Sequence, residues 1–217
     1  MIGGDIAVGC LAAYLLGSVP FGLIVARIVG GIDIREKGSG NIGATNVGRI
    51  LGKKWGATVF ILDFAKGFVP TFFFVSAVGG VCDMDGFTTN LARVLTGLSA
   101  ILGHTFPVFL AFKGGKGVAT SAGVLCALQW VVVVIAGVVW GAVVLSFRYV
   151  SLGSIVSAVS VPVVFVVLER ETAFSENLPL TLFCCVLTVL VIVRHRSNIG
   201  RLIAGNENRV LSRKEGE

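Results

Sequence analysis

The sequence predicts an all-α integral membrane protein, a seven-helix bundle made of six spans plus one half-helix. Three observations predict it. Of 217 residues, 55% are hydrophobic and only 14% are charged, against about 25% charged residues in a soluble domain. The apolar residues, with a mean hydropathy of +0.91, fall into long runs separated by short polar breaks. The Lys and Arg residues crowd into alternate breaks. No shift in composition divides the chain, so residues 1–217 read as one polytopic domain, with 203–217 a polar tail.

The first run, Ile2 to Val29, is long enough to cross a hydrocarbon core of ~30 Å. It carries Asp5, lacks a basic start and is too long for a cleavable leader. Gly17-Ser-Val-Pro20 lies inside it, and the donor that Pro20 lacks predicts a kink or break there. A polar loop from Gly30 to Lys54 follows. Trp55 to Gly79 is the second span, with Asp63 and Lys66 three residues apart on one helix face. Charges at that depth are expected to pair, either locking the bundle or serving a nearby site. An acidic break with Asp83 and Asp85 leads to the third span, Leu91 to Phe112. Val118 to Leu128 is apolar but only 11 residues long, about 16 Å as a helix. It reads as a half-helix whose N-terminus points at the preceding glycine–lysine loop and attracts anions. Trp130 to Phe147 spans again, Arg148 to Ser154 is a polar break, and Ile155 to Leu168 returns. After an acidic break from Glu169 to Glu176, Pro179 to Val193 is the last span before the basic tail.

Placing the breaks after the first, third and fifth helices, and the tail, in the cytosol gathers fifteen Lys and Arg there. Arg93 and Arg170 fall opposite and Lys66 inside. By the positive-inside bias the N-terminus is outside and the C-terminus cytosolic. Every glycine–cation loop then faces one side. The five cysteines are odd in number and form no C-x-x-C pair; the four in apolar runs read as small buried hydrophobes.

Four polar segments carry the chemistry. In Gly38-Ser-Gly-Asn-Ile-Gly-Ala-Thr-Asn-Val-Gly-Arg49, glycines allow tight turns, successive backbone N–H groups form an anion nest, and Ser39, Asn41, Thr45 and Asn46 supply neutral hydrogen-bonding groups. Arg49 supplies a planar cation suited to phosphate. Its G-x-G-x-x-G match is not a dinucleotide fingerprint, because no strand precedes it and no βαβ unit fits. Phe112-Lys-Gly-Gly-Lys-Gly117 brings Lys113, Gly114, Gly115 and Lys116; with Gly117 after the lysine it is not a Walker A loop. Arg148-Tyr-Val-Ser-Leu-Gly-Ser154 offers Ser151 and Ser154, either as helix caps or as substrate contacts. Asn198-Ile-Gly-Arg201 in the tail echoes Asn46-Val-Gly-Arg49. His104 and His195 stand near the same end of their spans. No Cys or carboxylate stands beside them in sequence, which argues against zinc. Phe109 at the fifth position after His104 rules out an H-x-x-x-x-D pair. Nothing points to nucleic acid, a metal or a cofactor.

With Gly17-Ser-Val-Pro-Phe-Gly22, Gly103-His-Thr-Phe-Pro107 and Arg194-His-Arg-Ser-Asn198 added, these motifs resemble the bacterial acyl-phosphate-dependent glycerol-3-phosphate acyltransferases (the PlsY family), from about Tyr14 to Asn208. The resemblance implies a seven-helix inner-membrane enzyme with a cytosolic site. Such an enzyme transfers a fatty acyl group from acyl phosphate to glycerol 3-phosphate, giving lysophosphatidic acid and phosphate. It also implies a soluble phosphate acyltransferase partner that makes the donor. By motif position it implies catalytic roles for Ser39, Arg49, His104 and Lys116. Substrate contacts would come from Asn41, Asn46, Lys113, Gly114, Gly115, Ser154, His195 and Asn198.

The residues agree with that chemistry. Two phosphorylated substrates bring up to about four negative charges, which fixed Arg, Lys and backbone donors neutralise without a metal. The general base stays open between a neutral histidine and an oxygen of the donor phosphate. A transporter for a phosphorylated solute is the rival reading. It needs polar groups running through to the outer face, where the breaks are acidic and the spans apolar apart from Asp63 and Lys66.

Overall fold

A computed structural model of the chain describes residues 2–79 and 85–210. Cys82 and Asp83 of the acidic break, and Arg213 and Lys214 of the tail, lie outside the described residues. All regular structure among the described residues is helical. Among the described residues, five helical stretches are long and apolar enough to cross a membrane, and a sixth if the bent pair at the C-terminal end counts as one span.

The first run breaks at the expected place. α1 (Ile2–Gly17) stops before Pro20, and α2 (Phe21–Gly30) restarts after it. The loop expected between Gly30 and Lys54 is more ordered than its composition indicated. It holds a 3₁₀ turn at Ile34–Glu36, capped by Asp33, and an eight-residue helix, α3 (Ala44–Leu51). Ile34, Ile42 and Val47 pin this segment to Leu23, Ala26 and Val59 of the neighbouring helices.

α4 (Lys53–Gly79) and α5 (Gly86–Thr105) follow. α5 starts and ends earlier than hydropathy predicts. Asp85 Oδ1 accepts the Thr88 N–H at 2.7 Å, an N-cap that draws the polar Gly86–Asn90 turn into the helix. At the other end Pro107 opens a 3₁₀ turn, Val108–Leu110, instead of continuing the helix.

α6 (Val118–Leu128) is the half-helix, with the bounds read from sequence. α7 (Trp130–Phe147) and α8 (Val150–Leu168) form a hairpin around Arg148. α9 (Leu178–Arg194) bends by 58° into α10 (Arg196–Ile203).

α6 is held deep in the bundle by backbone contact. A Cβ at Gly123 would strike the Phe64 carbonyl, and one at Gly67 would strike the Thr120 carbonyl, so α4 and α6 each lay a glycine against the other's backbone. Such small-residue contacts replace the hydrophobic drive that lipid removes. Ile101, Val124, Val132, Phe165 and Leu187 fill the space between α5, α6, α7, α8 and α9. Large apolar side chains such as Ile61, Val138 and Val163 remain exposed, as lipid-facing surfaces require.

Candidate active site

The four polar segments converge. A cavity of about 160 Å³ is bordered by Ser39, Asn41, Asn46 and Arg49 from the first, Lys116 from the second, Ser151 and Ser154 from the third, and Asn198 and Arg201 from the last, with His104 and His195 beside them. A second cavity of about 230 Å³ adjoins it, sharing Ser39, Asn41, Lys116 and Arg201, and adds Arg194 and Arg196. Phe60 and Trp140 give the first cavity an apolar side.

The glycine-rich segment works differently from a free anion nest. Gly38 and Gly40 hold the left-handed backbone that glycine favours, at φ 59° and 70°. The turn's amides, however, point into the turn itself. Ser39 N–H donates to Asn46 Oδ1 at 2.9 Å, Gly40 N–H to the Lys37 carbonyl at 3.0 Å, and Gly43 N–H to Asn41 Oδ1 at 2.8 Å. The buried Asn46 amide nitrogen donates to the carbonyls of Ile34, Lys37 and Asn41, so Asn46 organises the loop. The groups left to meet an anion are side chains and the first turns of α3 and α6, Ala44–Thr45 and Gly117–Ala119, which both border the cavity. Helix starts favour negative charge.

The second segment behaves likewise. Gly114 N–H donates to the Thr105 carbonyl at 3.2 Å and Gly115 N–H to the His104 carbonyl at 3.1 Å. A Cβ at Gly115 would strike the His104 imidazole. Gly114 and Gly115 thus form the bed for Lys116, which alone of this loop's two lysines borders a cavity; Lys113 is exposed and borders neither. Lys116 donates to Asn198 Oδ1. Burial draws its pKa down to about 8, with Glu207 opposing and Arg201, Arg194 and Arg49 adding to the fall.

His195 Nδ1 lies 2.8 Å from the Val191 carbonyl. A carbonyl only accepts, so this contact places a proton on Nδ1 and leaves Nε2 for the cavity. Ser151 and Ser154 do not cap α8, which starts without a side-chain cap at Tyr149. Ser154 donates to Val150 O at 2.9 Å, and Ser151 donates to Glu207 Oε1 at 2.7 Å.

Two carboxylates reach the site: Glu207, which lies outside the four polar segments, and Asp63, for which a nearby site was one of the two readings. In the fold, residues 204–210 turn back across the cavity, and Val210 N–H donates to the Arg148 carbonyl at 2.8 Å. The Glu207 carboxylate accepts from Ser151, from Asn198 Nδ2 at 2.6 Å and from Arg201 Nε at 2.7 Å. Burial raises its pKa, but these three donors outweigh burial and hold it below the usual carboxylate value. Asp63 borders the cavity too. Its Oδ1 lies 2.9 Å from Lys66 Nζ and 3.6 Å from His104 Nδ1, all three side chains buried. The expectation that no carboxylate stands near a histidine fails here, because α4 and α5 bring together residues 41 positions apart. Among the described residues no three His, Cys, Asp or Glu side chains cluster as a metal site.

The sequence echo has a structural counterpart. Asn46 and Arg49 on α3, and Asn198 and Arg201 on α10, each give one buried asparagine and one arginine to the same cavity, a helical turn apart.

Fold and site define a class: a multi-pass helical membrane protein with a cationic cavity at one end of the bundle. The glycerol-3-phosphate acyltransferase family profile matches residues 7–205, and the chain belongs to that family. A glycerol-3-phosphate acyltransferase of Aquifex aeolicus is 45% identical over 91% of this chain and 95% of its own length. One of Macrococcus caseolyticus is 41% identical over 97% of this chain and all of its own. Among solved structures, PlsY, an integral membrane glycerol 3-phosphate acyltransferase, superposes in its glycerol 3-phosphate form with a TM-score of 0.82 at 41% identity, covering 94% of this chain and 95% of that one. Its lysophosphatidic acid form superposes with a TM-score of 0.80.

Proposed function

We propose that this protein transfers a fatty acyl group from acyl phosphate to the sn-1 hydroxyl of glycerol 3-phosphate, releasing lysophosphatidic acid and inorganic phosphate. The reading places the site at the cytosolic face of a bacterial inner membrane, where a soluble phosphate acyltransferase supplies the donor. The observation that carries it is one cavity with a cationic wall (Arg49, Lys116 and Arg201) and an apolar side (Phe60 and Trp140). Such a cavity takes a phosphate and an acyl chain from one molecule.

Acyl phosphate is a mixed anhydride, so no covalent enzyme intermediate is needed. The acceptor hydroxyl attacks the acyl carbonyl once the two are held in line. The new C–O ester bond forms as the carbonyl-to-phosphate C–O bond breaks, and phosphate departs with the electron pair. Lys116 and Arg49 stabilise the oxyanion and the leaving phosphate. Ser39, His195 and Asn198 orient the two phosphate groups, with Asn41 and Ser154 beside them. The hydroxyl proton passes to an oxygen of the donor phosphate. Glu207 is a poor alternative, since three donors occupy its carboxylate and make it a weaker base. His104 borders the same cavity and packs against Gly115, beside Asp63.

The test is the purified protein in detergent with palmitoyl phosphate and labelled glycerol 3-phosphate. Labelled lysophosphatidic acid and phosphate released in equal amounts are expected. Activity with acyl-CoA or acyl carrier protein, and none with acyl phosphate, would overturn the donor assignment.

A further inference from the structure

The turn that carries Lys116 has an unfavourable backbone. Ala111 and Phe112 both sit in the left-handed region, at φ 48° and 63°, and neither is glycine. Residues held this way persist only where their surroundings dictate the shape. Part of that hold comes from α5, whose last carbonyls, at His104 and Thr105, accept the amides of Gly115 and Gly114. The carbonyl side of the same two peptides is held from another helix. At the end of α9, one terminal nitrogen of Arg194 donates to the Gly114 carbonyl at 3.1 Å and the Gly115 carbonyl at 3.0 Å. The guanidinium lies over the Phe106 ring, 5.4 Å from its centroid, which fixes its direction. Lys116 is the next residue in the chain, and its ammonium meets Asn198, which lies beyond the same α9–α10 bend. One bend therefore grips this turn by its backbone and by its side chain.

We propose that Arg194 is a positioning residue: by clamping the Gly114 and Gly115 carbonyls it sets the place of the Lys116 ammonium in the cavity. What Lys116 does there rests on the acyl-transfer reading above; the clamp does not. Two variants test it. Arg194→Met fills similar space with no donor. Arg194→Lys keeps a cation and a donor but loses the flat group that stacks on Phe106. In the Met variant, turnover of glycerol 3-phosphate with palmitoyl phosphate is expected to fall about ten- to a hundred-fold, the cost of a misplaced catalytic group. KM for glycerol 3-phosphate should stay within about three-fold. The Lys variant should recover part of kcat. Hydrogen exchange followed by mass spectrometry, without substrate, should show faster exchange confined to residues 111–117, greater for Met than for Lys, with α5 and α9 unchanged.

Wild-type exchange across 111–117 in both variants would overturn the clamp, as would an unaltered kcat. A raised KM at unaltered kcat would make Arg194 a phosphate ligand instead, and exchange rising equally throughout the bundle would make it a general fold residue. If the Met variant does not fold, the Lys variant decides by the same two readouts. Failure of the wild-type protein to use acyl phosphate would sink the proposed reaction, while the exchange data still decide the clamp.

Discussion

Lys116 is a lysine in a wall of arginines, with its ammonium partly withdrawn from water. A pKa drawn down to about 8 by burial leaves it cationic below that value and increasingly neutral above it. If the ammonium is the form that stabilises the departing phosphate, kcat/KM of the free enzyme falls as pH rises through about 8, approaching ten-fold per unit well above it. Substrate phosphates take their second ionisation with a pKa of ~6, so they do not produce a limb centred at about 8. The measurement is a pH–rate profile of the wild type beside Lys116→Arg. The arginine does not titrate in this range, so its profile should stay level where the wild type falls. Its overall kcat/KM should be about a hundred-fold lower, because a planar fork cannot sit where the ammonium meets Asn198. An alkaline limb that survives in Lys116→Arg would assign the titration to another group.

At the scale of the element, the same pairing logic applies inside the membrane. Asp63 and Lys66 occupy one face of α4 in contact with each other, with His104 beside Asp63 and the Val19 carbonyl accepting from Lys66 Nζ at 2.9 Å. Removing one member of a buried pair leaves the other uncompensated, at a cost of about 3–5 kcal/mol. Asp63→Asn should therefore lower thermal stability sharply, and Asp63→Asn with Lys66→Met should recover much of it. A double variant no more stable than the single would show that the pair does not stabilise the bundle as a unit.

Elements like these mark how far the sequence could be read. The Pro20 break and the bounds of α6 were legible because chain chemistry and length decide them locally: proline lacks a donor, and an 11-residue helix cannot span. α3 was not, because a Gly- and Asn-rich stretch reads as loop until Ile42 and Val47 find a tertiary surface. The start of α5 hid in polar residues that only the Asp85 cap makes helical. Glu207 and the Asp63–His104 contact were out of reach for a third reason. Each depends on which segments the fold brings together, and no local spacing encodes that.

For the whole molecule, the distribution of charge sets which end of the bundle faces the cytosol. The cavity joins Arg49 and Lys116 from separate breaks, so those breaks share a side whatever the orientation. The charge bias then selects the side, since loops rich in Lys and Arg are retained in the cytosol. Substrate chemistry points the same way, because a charged acceptor such as glycerol 3-phosphate does not cross a bilayer unaided. In a variant whose five cysteines are replaced by alanine, single cysteines at the exposed positions Lys54, Lys113 and Ser175 report orientation directly. A membrane-impermeant maleimide should label Lys54→Cys and Lys113→Cys in inside-out vesicles only, and Ser175→Cys in right-side-out vesicles only. The inverse pattern would leave the cavity intact but turn it outward, away from any cytosolic donor. Labelling of Lys54→Cys and Lys113→Cys from opposite sides would contradict the cavity itself, since α3 and the Lys116 turn could not then meet across the head of the bundle.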